Sequence, residues 1–98
     1  MNLPQQSITL KMIIDSGLIQ PEALLISKLK QDITGILNAD GSISLNLKGQ
    51  IKNFFSPSGA ARAIEKRSIN GWIYWIIKES GVPKELAIFR EEYKKIKK

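Results

Sequence analysis

Two stretches of the chain collect the side chains able to recognise an anionic polymer. One is Phe54-Phe55-Ser56-Pro57-Ser58-Gly59-Ala60-Ala61-Arg62-Ala63; the other is Ser68-Ile69-Asn70-Gly71-Trp72-Ile73-Tyr74-Trp75. Ser56 before Pro57 reads as a helix start, because Ser is a preferred N-cap and Pro carries the φ favoured at the first helical position. The first turn of such a helix offers unpaired N–H groups beside two hydroxyls, Ser56 and Ser58, a ready seat for a phosphate. Arg62, Lys66 and Arg67 would add charge-assisted contacts there. Asn70, followed by Gly71, can pair bidentately with adenine N6 and N7, and Trp72 at the turn can stack or wedge beside a base. Each residue also has a plainer reading. Ser56 caps a helix with or without a ligand, Asn70-Gly71 is a common turn dipeptide, and Arg62 with Lys66 fits a solvated helix face. Of the two tryptophans, Trp75 is expected in the core.

The rest of the composition argues against catalysis. The 98 residues contain no His and no Cys, which removes the commonest general base, the commonest metal ligand and every thiolate site. Glu92-Tyr93-Lys94 matches half of a metal-dependent nuclease motif, but it falls in a predicted helix with no Asp in a strand just upstream. There is no Gly-rich phosphate loop, and Asp40-Gly41-Ser42 lacks the alternating acids of a calcium loop. The expectation is a non-enzyme with no cofactor, metal or small-molecule substrate. The longest apolar run, Trp72 to Ile77, is six residues, and Met1 to Gln6 lacks the regions of a secretory signal. A cytoplasmic protein without a membrane partner is therefore expected. Its charge is uneven: residues 1–47 hold three bases against four acids, whereas residues 48–98 hold twelve against five, a net of +7. A basic half on a near-neutral half is the footprint of a polyanion binder.

The elements that position these residues can be read from periodicity. Leu10, Ile13, Ile14 and Leu18 form one stripe of a short helix, with Ser7 or Thr9 as cap and Asp15-Ser16-Gly17 as stop. From Ala23 to Phe55 the pattern becomes an antiparallel meander of three or four strands, with turns at Asn38–Gly41 and Lys48-Gly49. A crossing helix is predicted over 56–66, with Ala60 or Ala61 and Ile64 inward and Arg62 and Lys66 outward. A Trp-rich strand over 72–78 follows, with Trp72, Tyr74 and Ile76 on one face. A C-terminal helix over 83–97 opens at Pro83, and Lys94, Lys95, Lys97 and Lys98 complement its dipole. The class is α+β, with a sheet of about four to five strands in one domain spanning 1–98.

The S-P-S-x-A-A block followed by N-G-W-x-x-W resembles the restriction enzyme and adenine methylase associated domain, RAMA. Ile13-Ile14-Asp15-Ser16-Gly17-Leu18-Ile19-Gln20-Pro21 and the Asp40-Gly41-Ser42-Ile43 turn are similar to the family as well. The resemblance covers about 10–78, leaving 79–98 as an appended helix with a basic end. It implies an accessory double-stranded DNA-binding module of restriction–modification or related systems, beside a nuclease or methyltransferase, with some members preferring methylated DNA. On that reading Ser56, Ser58, Arg62, Lys66 and Arg67 anchor phosphates, and Asn70, Gly71 and Trp72 lie nearest the bases. The rival is a protein-interaction module in which Trp72, Tyr74 and the C-terminal helix form an apolar surface. Salt separates the two, since only phosphate contacts weaken steeply with ionic strength.

Overall fold

Thr9 opens the first element. Its hydroxyl accepts the Met12 N–H at 3.2 Å, helix α1 runs Leu10–Asp15, and Gly17 at φ 89° turns the chain away. Ser7, the other cap candidate, lies outside the residues that the computed structural model describes, 8–96, as do Met1–Gln6, Lys97 and Lys98. Four strands then meander: β1 (Ala23–Ser27), β2 (Thr34–Leu37), β3 (Ile43–Leu47) and β4 (Gln50–Phe54). Helix α2 (Pro57–Glu65) and a single turn α3 (Gly71–Tyr74) lead to β5 (Trp75–Glu79), β6 (Val82–Glu85) and helix α4 (Leu86–Ile96). The six strands form one antiparallel sheet in the order β4-β3-β2-β1-β5-β6. Because β5 pairs with β1, α2 and α3 must carry the chain back across the sheet from its β4 edge.

The class is α+β, as expected, but the sheet has six strands where about four to five were predicted. Two predicted elements also differ. The strand over 72–78 begins only at Trp75, because Asn70 starts a helical turn: its side-chain oxygen accepts the Trp72 N–H at 3.0 Å and its carbonyl accepts from Ile73 and Tyr74. Aromatic and β-branched residues favour strands only weakly, and the cap overrides them. The helix over 83–97 begins at Leu86, because Ser80 and Gly81, at φ 53° and 81°, make a two-residue hairpin turn that pairs Val82 with Glu79. Pro83 sits on the resulting edge strand, a position where proline is tolerated.

All four helices cover one face of the sheet. Leu25, Leu37, Ile43, Leu45 and Trp75 point into that side and meet Ile13, Ala60, Ala61, Leu86 and Phe89, all nearly or fully buried. The two alanines, both fully buried, present only methyl groups on the inward face of α2, which packs on β3 and β4. The opposite face is open, and Leu24, Ile36 and Ile51 are exposed on it. Two lysines hold left-handed backbone: Lys48 at φ 52° in the β3–β4 turn, and Lys66 at φ 63° where α2 ends. An ordinary L-residue gives up about 1 kcal/mol in that conformation relative to glycine.

Candidate nucleic-acid interface

The two motif blocks meet at the start of α2. Ser56 caps the helix, its hydroxyl accepting the Gly59 N–H at 3.0 Å while its carbonyl accepts from Ala60. Ser58 turns its hydroxyl toward α3 and accepts the Gly71 N–H at 2.9 Å. The Trp75 indole N–H, wholly buried, donates to the Pro57 carbonyl at 3.1 Å. Gly71 is pressed so closely on this turn that a Cβ there would overlap the Pro57 carbonyl and the Ser58 nitrogen. The S-P-S and N-G-W-x-x-W residues thus form one interlocked joint between α2 and α3. The predicted phosphate seat is thereby narrowed to the Ser58 N–H and the hydroxyl protons of Ser56 and Ser58. Pro57 has no N–H, Gly59 and Ala60 are bonded to Ser56, and among the described residues only the Ser58 N–H of that turn lacks a partner.

The predicted site residues separate around this joint. Ser56 and Trp72 line a cleft of about 400 Å³ with Thr9, Lys11, Asp40 and Phe55. Phe55 is 85% exposed at its rim. One face of the Trp72 ring is covered by the Arg90 guanidinium, 4.4 Å from the ring centroid, so stacking on a base is limited to what remains. The Arg90 Nε is buried with no hydrogen-bond partner, which the ring contact offsets only partly. Arg67 and Asn70 share a second depression, about 320 Å³, walled by Leu29, Ile73 and the Lys28 stem. The Asn70 side-chain oxygen caps α3, while its NH2 has no partner among the described residues. Lys66 lines a third cleft, about 620 Å³, between α2 and the β3–β4 hairpin. Arg62 is exposed on α2 and lines none of the three.

A polar network stiffens the same region from below. The Lys30 N–H donates to the Ser27 hydroxyl (3.0 Å), Ser27 donates to the Tyr74 oxygen (2.6 Å), and Tyr74 donates to Glu65 (2.7 Å). The Lys30 ammonium returns to the same carboxylate at 3.6 Å. Burial, then the Glu65 carboxylate, pushes the Tyr74 hydroxyl up to about 12 against the lowering effect of Ser27. Tyr74 is 3% exposed and so contributes nothing to an outer surface.

Charge is sorted by ion pairing. Among the described residues, Lys11, Lys28, Lys30, Lys84 and Lys94 have carboxylate partners. Lys48, Lys52, Arg62, Lys66 and Arg67 have none, nor do Lys78 and Lys95. Sequence reading missed Phe55, Arg90 and three lysines of the third cleft, Lys30, Lys48 and Lys52; Lys66 there was foreseen. The exposure of Phe55 depends on where β4 ends, and Arg90 reaches Trp72 only because α4 packs against α3.

No curated protein sequence matches the chain. A family model does: Restriction Enzyme Adenine Methylase Associated, RAMA, matches residues 2–98, which takes in α4 as well as the 10–78 stretch carrying the motifs. Leu86, Phe89 and Tyr93 of α4 are buried in the same core as the motif-bearing elements. The chain belongs to the RAMA family, the domains associated with restriction enzymes and adenine methylases.

Proposed function

We propose that this domain binds double-stranded DNA and reads the adenine edge, as the recognition module of a restriction–modification system. The observation that carries the reading is the uncompensated charge on and after α2: Arg62, Lys66 and Arg67 are exposed and lack carboxylate partners among the described residues. Arginines fork onto phosphate oxygens and set register without reading sequence. Asn70 supplies the readout. Its free NH2 can donate to adenine N7, and its oxygen keeps a lone pair for N6–H after capping α3. Leu29 and Ile73 give the same depression an apolar wall, a surrounding suited to an N6-methyl group. The domain acts without catalysis of its own, beside a nuclease or methyltransferase on the same or an associated chain.

Fluorescence anisotropy with labelled duplexes, with and without N6-methyladenine, at two salt concentrations tests this. Affinity is expected to fall by about 0.9 log unit per log unit of salt for each phosphate contacted. A difference between the two duplexes places the role in methylation reading. A folded protein that binds neither duplex at low salt sinks the DNA reading and turns the search to a protein partner.

A further inference from the structure

We infer that the cleft between α2 and the β3–β4 hairpin holds one sugar–phosphate strand of the duplex; the inference rests on the DNA reading above. Four lysines stand around it: Lys30 from the β1–β2 loop, Lys48 at the hairpin tip, Lys52 on β4 and Lys66 at the end of α2. Ile33, Leu47, Ala63 and Ile64 form the apolar part, and no acid is among the lining residues. An apolar floor under a cationic rim matches a DNA strand, whose deoxyribose faces are hydrocarbon and whose phosphates project to the side. Lys30 is partly neutralised by Glu65. Lys48, Lys52 and Lys66 have no ion pair among the described residues, so their charge is available to a ligand.

The backbone supplies an independent observation. Lys48 and Lys66 are two of the four non-glycine residues with positive φ among the described residues, and they come from opposite walls of one cleft. Asn followed by Gly is the favoured pair for a hairpin turn of this kind, and Gly is the usual residue where a helix ends in left-handed backbone. Lysine is a poor choice for either conformation. A helix-dipole role accounts for a cation near the end of α2, but Lys48 is on no helix. Strain retained at two sites that frame the same cleft points to a use for the ammonium groups rather than for the turns. Lys52 completes the rim from the edge strand, where a charged residue also discourages pairing with other chains.

The test uses the full chain and a Lys48→Asn/Lys52→Gln double variant, which leaves Arg62, Lys66, Arg67 and Asn70 untouched. Duplex affinity is measured across a salt series, and Tm by circular dichroism. The double variant is expected to lower the salt slope by about two, one per lost phosphate contact, and to weaken low-salt binding roughly tenfold. Its Tm should hold or rise, because the turn becomes Asn-Gly. Lys66→Gly should likewise raise Tm by about 4 °C while lowering the slope by about one. Wild-type binding with a steep slope that the double variant retains overturns the cleft and leaves the DNA reading standing. A wild-type protein that binds no duplex overturns both. Co-sedimentation with phosphatidylglycerol vesicles but not with DNA assigns the cleft to a membrane headgroup and likewise overturns the inference.

Discussion

Gly71→Ala makes a sign test of the joint between α2 and α3. Gly71 is the first residue of α3, and on backbone propensity alone alanine there stabilises by about 0.5–1 kcal/mol. The structure gives the opposite sign. The added Cβ overlaps the Pro57 carbonyl and the Ser58 nitrogen, backbone atoms that no rotamer change can move aside. Relief requires α3 to shift from α2, an overpacking term of about 1–3 kcal/mol. The shift also weakens the Gly71 N–H bond to Ser58 and the Trp75 indole bond to Pro57, about 1 kcal/mol each and more for the indole, which has no access to water. The total is about 4 kcal/mol, against roughly 5–15 kcal/mol for a domain of this size. At about 4 °C per kcal/mol, Tm should fall by about 16 °C. Thermal unfolding followed by tryptophan fluorescence measures it, with Gly35→Ala as comparator. The Gly35 Cβ would sit 2.7 Å from Leu45 Cδ2, the end of a side chain that can turn, so the loss there should be smaller. A Gly71→Ala protein that melts within ~3 °C of wild type refutes the interlocking.

Asn70→Ser keeps a good N-cap for α3 but removes the amide, so urea denaturation should change little while discrimination among duplex sequences disappears; Asn70→Ala should lose about 1 kcal/mol as well. If Asn70→Ser keeps full discrimination, the cap is all that Asn70 provides. Arg62→Ala and Arg67→Ala should each weaken all duplexes about equally and reduce the salt slope by about one, as anisotropy titrations will show. The Tyr74 hydroxyl, raised to about 12 in the fold from an unfolded value of 10.0, favours the protonated native state. Its stabilising effect is complete below pH 10 and is lost as pH rises toward 12. Tyr74→Phe should therefore be less stable than wild type at pH 8, by about 1–3 kcal/mol for stranding the Ser27 hydroxyl, and the gap should narrow above pH 10. A gap that stays constant in denaturation at pH 8 and pH 11 would falsify the assignment.

What the sequence discloses here is local order. The cap at Ser56, the alternation of Ile43, Leu45 and Leu47, and the turn at Lys48-Gly49 are written in neighbouring residues, and each stands where periodicity puts it. The burial of Trp75 was legible for the same reason, as the more interior of two large aromatics. The failures are of another kind. Trp72-Ile73-Tyr74 has the composition of a strand, and only the Asn70 cap and the pressure of Pro57 on Gly71 make it helical. Val82–Glu85 became a strand because β5 was there to pair with it, while Pro83 suited a helix start equally well. The site dispersed for a related cause. Spacing places Ser56, Asn70 and Trp72 close together, but the joint that unites them already employs the side-chain oxygens of Ser56, Ser58 and Asn70 as acceptors of backbone N–H groups. Lys30, Lys48 and Lys52 converge through the meander, and no spacing rule connects them.

The place of β1 in the sheet has a kinetic consequence. Its pairing with β2 joins residues about ten apart, as between Leu25 and Gly35, whereas its pairing with β5 joins Ile26 to Ile76. Local hairpins close first, since chain entropy opposes long loops before contacts reward them. The meander should thus form early with β1 as an unprotected edge and no indole in its core, and the α2–α3 joint should act as the latch that delivers β5. A nascent chain halted before Gly71 would present that bare edge to any neighbouring strand. Cutting the gene between Lys66 and Ser68 should then yield two halves that are insoluble apart and reconstitute when made together.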